Sequence, residues 1–229
     1  MSAEVAVLRE TLARRFPDAL PARHRTTEVA PTGVGEMDAV LPGGGLPRGR
    51  LTVWAPGGAG TALLRAACTA ALARGERAAW VDGPGVLTGE GWPERILLAR
   101  PRSPLDAAAC AEELVRSGGF GLVVLVGGDE DDAVRLRLTR AVKEGGGALV
   151  TLSPSGFMGG LTLSSRILPT GCRWACGPFG EPARLEAVRV RVEAVALGWR
   201  RHAHLVLPLQ DHVHRIALEP GLADRRGGR

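Results

Sequence analysis

An apolar strand that runs into a glycine-rich turn and then a helix constrains the fold of this chain more than any other feature. The strand is expected at 50–54 and the helix from residue 60. This layout is typical of a phosphate-binding P-loop, G-x-x-x-x-G-K-[ST]. The corresponding residues here are Ala55, Pro56, Gly57, Gly58, Ala59, Gly60, Thr61 and Ala62. Thr61 therefore replaces the lysine, and Ala62 replaces the hydroxyl residue that would bind Mg²⁺.

Composition indicates a globular protein with one main domain and appendages. The chain has 229 residues, of which 45% are hydrophobic and 23% charged, enough to bury a core. Its apolar stretches are interrupted before the roughly 20 residues of a membrane span, so we expect a cytoplasmic protein without a membrane segment. The formal charge of +5 favours polyanionic partners. Lys143 is the sole lysine, so no neighbouring lysine can replace the missing one.

Alternating apolar runs and amphipathic segments predict an α/β fold, a mostly parallel twisted sheet flanked by helices. Strands are predicted at 50–54, 78–82, 96–99, 121–126 and 147–152, and helices at 60–74, 104–117 and 132–144. Beyond Ser153 glycine-rich loops are expected. The alternating segments 185–195 and 204–208 are then predicted to be antiparallel edge strands, which form a C-terminal extension of the sheet.

Both ends of the chain are predicted to lie outside the sheet. Apolar residues recur at helical spacing near the N-terminus, and Pro17 ends this short helix. The apolar residues are Val5, Leu8, Leu12 and Phe16. They pack either on the core of the same chain or on a partner or second copy. The basic tail 221–229 is expected to be disordered, and its Arg225 and Arg226 are candidates for contact with phosphates.

The cysteines are expected to be reduced and mostly buried. Cys172 and Cys176 are close in sequence. Together with His202 and His204, or with His212 and His214, they would supply the four ligands of a tetrahedral zinc site. The alternative is that the thiols are core residues and the histidines face solvent. We expect no metal.

Three motifs in order resemble the RecA recombinase core, and in particular the ImuA family of SulA-like mutagenesis proteins. The first is the lead-in Pro31 to Asp38 with Gly43 to Arg50 before the P-loop strand. The second is Ala78 to Asp82, similar to the strand before the catalytic acid. The third is Glu112 to Gly118 with Leu122 to Val126, similar to the elements before the Walker B acid. The resemblance implies a linker and helix at 1–30, a RecA-like core at 31–220 and a tail at 221–229.

The resemblance also implies that the catalytic residues are missing. The P-loop lysine falls on Thr61, the Mg²⁺ ligand on Ala62, the water-orienting acid on Pro84, and the Walker B aspartate on Gly127. Phosphoryl transfer depends on positioning and charge neutralisation, so we expect no ATP hydrolysis and no cofactor. Backbone amides of the loop would hold a phosphate or nucleotide only weakly.

The acidic run 129–132 allows two interpretations. It supplies either a shifted metal site in place of the Walker B acid or, as we prefer, a solvated helix start.

In RecA-like cores DNA is bound by two loops. The first is short and acidic here, whereas the second, 153–160, offers Phe157 as a stacking residue with Arg166 behind it. Phe157 is equally compatible with a place in the core or in a protein interface.

The ImuA resemblance implies a non-catalytic accessory protein of SOS-induced translesion synthesis and mutagenesis. The implied partners are RecA, ImuB, an error-prone replicative-type polymerase and single-stranded DNA. Two other functions remain open at this point. One is a divergent ATP-binding, recombinase-like enzyme, and the other is a SulA-like inhibitor of cell division.

Overall fold

A computed structural model describes residues 28–85, 92–128, 131–153 and 160–208. The predicted N-terminal helix, with Val5, Leu8, Leu12 and Phe16, lies outside these residues. The same is true of Phe157 and of the tail with Arg225 and Arg226. The predictions for these residues therefore stay predictions.

The described residues form ten strands and four helices. The strands are β1 Val29–Ala30, β2 Leu46–Pro47, β3 Arg50–Ala55, β4 Ala78–Asp82, β5 Leu97–Ala99, β6 Leu122–Val126, β7 Ala148–Leu152, β8 Leu161–Cys176, β9 Pro182–Ala196 and β10 Trp199–Pro208. The helices are α1 Gly35–Val40, α2 Gly60–Ala73, α3 Pro104–Arg116 and α4 Asp132–Gly145. The predicted strands and helices between residues 50 and 152 are confirmed to within one or two residues.

The main sheet has eight strands in the order β10-β9-β8-β3-β7-β6-β4-β5, and β1 pairs with β2 separately. Strands β5, β4, β6, β7, β3 and β8 are parallel to their neighbours, whereas β8, β9 and β10 pair antiparallel. The predicted α/β class is confirmed, including the antiparallel C-terminal extension.

Helices cover the two faces of the sheet differently. On one face α1 and α2 pack against a core that includes Trp54, Trp80 and Val190, and this core reaches into β9 and β10. On the other face α3 and α4 pack on β3, β4, β6 and β7, around Leu125 and Leu149. The antiparallel strands are therefore packed on one face, while Arg166 and Arg189 on their other face are exposed.

Two parts of this fold differ from the sequence prediction. Beyond Ser153 a long strand, β8, runs from Leu161 to Cys176, where glycine-rich loops were expected. Its first half alternates in burial, since Leu161, Leu163 and Ser165 are buried and the residues between them are less so, which is the pattern of a strand with one packed face. The short elements β1, β2 and α1 were also not predicted.

Local hydrogen bonds explain where several elements begin. Ser103 caps α3, because its hydroxyl accepts from the backbone N–H of Asp106 at 3.1 Å. In the lead-in segment, the backbone N–H and hydroxyl of buried Thr32 both donate to one carboxylate oxygen of Asp38, at 2.8 and 2.7 Å. This pair fixes the chain ahead of α1. None of the described helices combines the length and hydropathy that crossing a membrane requires.

Candidate functional site

The P-loop-like turn lies between the end of β3 at Ala55 and the start of α2 at Gly60. Ala59 is the N-cap of α2 and has a left-handed backbone, with φ of 72°. Thr61 and Ala62 lie in the first turn of α2 and are both partly buried. The geometry is thus a strand, a tight turn and a helix N-terminus, and the two side chains after the turn carry no positive charge.

Strand β8 packs directly on this turn. A Cβ atom added to Gly57 would lie less than 3.0 Å from the carbonyl oxygen of Ser165, and one added to Gly58 would lie 2.9 Å from Cγ1 of Ile167. The buried indole N–H of Trp54 donates to the hydroxyl of Ser165 at 3.3 Å. The turn glycines therefore allow β8 to approach, and in this structure that is their packing role.

The two positions that would carry the catalytic acids contact each other. Pro84 follows β4 and Gly127 follows β6, and these parallel neighbours pair Asp82 with Val126. The backbone N–H of Gly83 donates to the carbonyl of Val126 at 3.0 Å. A Cβ atom on Gly127 would lie 2.5 Å from Cδ of Pro84. The proline ring therefore takes up the space that a side chain at position 127 would need.

The acids near this edge of the sheet have structural partners. Asp82 is fully buried, and its Oδ2 lies 3.9 Å from Nε of Arg100. Asp131 caps α4 by accepting from the backbone N–H of Ala133 at 3.4 Å, and the side chain of Asp132 is exposed. This agrees with the preferred interpretation of the described half of the acidic run as a helix start. Asp129 and Glu130 lie outside the described residues.

A backbone strain at the turn gives a first prediction. Among the described residues, Ala59 is the one non-glycine with positive φ, a conformation that costs an L-residue about 1–2 kcal/mol. Ala59→Gly is expected to raise the free energy of unfolding by about 0.5–1 kcal/mol, because relief of strain exceeds the loss of one methyl contact. Denaturant unfolding measures it.

The control for this prediction is Ala66→Gly inside α2, which should lose about 1 kcal/mol because glycine disfavours a helix interior. If both variants were destabilised alike, a strained backbone at Ala59 would be contradicted.

Arginines are concentrated on the open face of the antiparallel strands, which we call the outer face. The register places Arg191 of β9 between Arg166 of β8 and His204 of β10. The residues of β8, β9 and β10 that share this face are Thr162, Ser164, Arg166 and Leu168; Arg189, Arg191, Glu193 and Val195; and Arg200, His202, His204 and Val206. Four arginines against one glutamate give a formal charge of +3 with neutral histidines.

The outer face was only partly found from the sequence. Arg166 was predicted as a contact behind a loop and instead lies within β8. Arg189, Arg191 and Arg200 were missed as candidates. The alternation of arginine and valine in 189–192 signals a strand with one charged face, but only the pairing register brings Arg166 opposite Arg191.

The cysteines depart from the expectation of mostly buried thiols. All four are free, but only Cys68 is buried; Cys110 and Cys172 are intermediate and Cys176 is exposed. Burial raises the pKa of the Cys68 thiol to about 12. No group of three or more potential metal ligands occurs in the described part of the chain, so Cys172 and Cys176 do not form a site with His202 and His204.

Comparison with known proteins links this chain to RecA. Protein RecA of Streptomyces ambofaciens is 34% identical over 126 residues, which are 52% of this chain and 32% of that relative. Protein RecA of Salinispora arenicola is 34% identical over 128 residues, which are 52% of this chain and 35% of that relative. No family model matches the chain. The chain thus spans about a third of the length of these relatives. Over about half of its own length it is similar to RecA, and its fold is consistent with a RecA-like core.

Proposed function

We propose that this chain is a RecA-like accessory protein that performs no nucleotide chemistry and acts in SOS-induced translesion DNA synthesis and mutagenesis. It binds RecA, and in the role implied by the ImuA resemblance it also works with ImuB and an error-prone replicative-type polymerase. The observation that carries the proposal is the contact between Pro84 and Gly127. The RecA resemblance assigns both acid positions to these two residues, and the packing of one on the other supports the absence of acids there.

The energetic argument against catalysis concerns the whole site. Each missing charge-assisted phosphate contact weakens binding by about 1.5–3 kcal/mol, or one to two decades in affinity. Thr61 and Ala62 lack the charge and the metal ligand, and Pro84 and Gly127 lack the acids. Because phosphoryl transfer depends on these groups together, the remaining backbone amides support weak phosphate binding and no turnover. On this proposal the RecA-like fold serves to present binding surfaces to other macromolecules.

Strand β5, an edge of the sheet among the described residues, offers a surface for RecA. In the described part of the chain β5 pairs with β4 alone, and Leu97 on this strand is 43% exposed. An edge strand presents unpaired backbone groups to which a further strand can add. We propose that RecA docks here, together with the N-terminal helix predicted around Leu8 and Leu12.

The outer face offers a surface for nucleic acid. Its arginines lie on neighbouring strands, and Arg189 and Arg166 are exposed. Glu193, the one acid of this face, is held by Arg200 at 2.8 Å and lies 3.8 Å from Arg191. A surface of net positive charge attracts phosphates irrespective of base sequence. We propose that DNA contacts this face.

A binding experiment with RecA and ImuB tests the function. Purified full chain is expected to retain RecA, and Leu97→Asp is expected to weaken binding at least tenfold because a charge enters the proposed interface. Leu136→Asp is the control, since Leu136 is a comparably exposed leucine, 52%, on α4. If the unaltered chain bound neither RecA nor ImuB, the proposed function would be wrong.

Nucleotide binding separates this function from that of a divergent ATPase. A fluorescent ATP analogue is expected to show no binding in the micromolar range. Micromolar affinity that Thr61→Lys fails to improve would contradict the proposal, because it would require a nucleotide site made of other residues.

A further inference from the structure

Within the described residues, the hairpin formed by β8 and β9 extends beyond the pairing of both with their other neighbours, β3 and β10. Among the described residues, β10 pairs with β9 only as far as Ala187, and β3 pairs with β8 only as far as Ser164. The hairpin beyond these points pairs only with itself, in an irregular register. Most of its residues are partly or fully exposed.

The tip of this hairpin holds an aromatic side chain away from the protein. The N–H of Gly177 donates to the carbonyl of Glu181 at 2.8 Å, and the N–H of Gly180 donates to that of Gly177 at 3.1 Å. The N–H of Phe179 donates to the Glu181 carboxylate at 3.0 Å. Phe179 is 94% exposed, and Trp174 on the adjoining strand is 49% exposed. The turn is therefore fixed by hydrogen bonds, while the phenyl ring contributes almost nothing to the core.

Basic residues lie near Trp174 on the hairpin, and Nε of one of them, Arg173, lies 3.2 Å from Oε2 of Glu186. Arg173 precedes Trp174 and Arg184 lies opposite Ala175, and the same β9 strand continues to Arg189 and Arg191 of the outer face. Proteins that bind single strands combine a basic track for phosphates with exposed aromatic rings for bases. The strand from Pro182 to Arg189 covers about 23 Å at 3.3 Å per residue. A single strand of several nucleotides is long enough to reach both regions.

We propose that Phe179 and Trp174 stack on unpaired bases of a single strand whose phosphates lie along Arg189 and Arg191. The two aromatic residues thus determine a preference for single-stranded over double-stranded DNA. In a duplex the faces of the bases are already stacked, so the hairpin gains no such contact there. This inference rests on the proposed contact of DNA with the outer face.

The test measures binding of the full chain to three fluorescent probes of equal length. They are a single-stranded oligonucleotide, its duplex, and a single strand carrying abasic sites. The variants Phe179→Leu and Trp174→Leu keep an apolar side chain but remove the aromatic ring. Leu197→Ala is the matched control, because Leu197 is also exposed, 68%, but lies in the turn between β9 and β10.

We expect the unaltered chain to prefer the single strand to the duplex. Each aromatic variant should lose about tenfold in affinity for the single strand and almost none for the abasic strand or the duplex. The slope of the logarithm of the binding constant against the logarithm of salt concentration should stay unchanged in these variants, since that slope depends on the number of phosphate contacts. The double variant Arg189→Gln, Arg191→Gln should instead flatten the slope. Leu197→Ala should bind like the unaltered chain.

Three results would overturn the inference, and they are distinguishable. Equal affinity for single strand and duplex would remove the preference itself. Unchanged single-strand binding by both aromatic variants would exclude stacking while leaving the proposed DNA contact intact. No binding of any probe by the unaltered chain would overturn the DNA contact as well. Because Phe179 is almost fully exposed, its replacement should leave Tm unchanged, and thermal unfolding verifies this.

Discussion

Gly127→Asp is expected to destabilise the fold by about 2–5 kcal/mol, although aspartate is the acid that the RecA resemblance places at this position. Gly127 has φ of 64°, which costs an L-residue about 1–2 kcal/mol. The added Cβ would lie 2.5 Å from Cδ and 2.6 Å from Cγ of Pro84, and such overpacking costs about 1–3 kcal/mol. Denaturant unfolding, with midpoint and slope compared, measures the loss.

Two further variants separate backbone strain from the clash. Gly44→Asp is the matched control, because Gly44 also has positive φ, 83°, but nothing lies within 4 Å of an added Cβ; it should show the strain alone. Pro84→Ala removes most of the proline ring and with it the clash. The double variant Pro84→Ala, Gly127→Asp should therefore lose about 1–3 kcal/mol less stability than the sum of the two single losses. Equal losses for Gly127→Asp and Gly44→Asp would contradict a packing role for Pro84.

The expected coupling bears on how the catalytic apparatus would be restored. An aspartate after β6 requires a smaller residue at position 84, so the two acid positions cannot be restored one at a time without cost. Thr61→Lys alone would add a charge to the turn and leave both acids missing. On the proposed function, which includes no ATP hydrolysis, we expect that no single one of these substitutions confers hydrolysis, and that Pro84 and Gly127 stabilise the fold by packing on one another.

The parallel half of the fold was predictable because its signals are local. Buried parallel strands such as Leu122–Val126 are continuous apolar runs, and the helices between them begin at recognisable caps, among them Ser103 and Asp131. The P-loop layout places the first strand, its turn and its helix in order. The departure of Thr61 and Ala62 from the P-loop pattern is visible in the sequence itself, whereas the two acid positions fall on Pro84 and Gly127 only through the RecA resemblance.

The antiparallel half was less predictable because its order depends on pairing between distant residues. Strand β8 contains Pro169 and Gly171, which favour a loop by local propensity, yet its pairing with β9 continues past them through irregularities after Leu168. The outer face exists only once the register places Arg166 beside Arg191. Contacts of this kind, like the contact of Pro84 with Gly127, carry no signal in a single sequence.

Gly57→Ala is expected to destabilise the protein by about 2–4 kcal/mol. The added Cβ would approach the carbonyl oxygen of Ser165 more closely than real Cβ atoms do, and the contact is with backbone, which cannot rotate away. The estimate combines about 1–3 kcal/mol for overpacking with about 1 kcal/mol for the Trp54 to Ser165 hydrogen bond, which any shift of β8 would stretch. Chemical denaturation of the full chain measures it.

The same substitution distinguishes two roles of the glycine-rich turn, phosphate binding and close packing of β8. Gly35→Ala is the control, since nothing lies within 4 Å of its added Cβ, and we expect its stability to change by less than about 0.5 kcal/mol. If the turn were kept to hold phosphate, Gly57→Ala would weaken phosphate binding and leave stability close to that of the control. If the turn is kept so that β8 can pack on it, stability falls and binding of inorganic phosphate stays weak in both variants. The packing of Ser165 and Ile167 on the turn favours the second result.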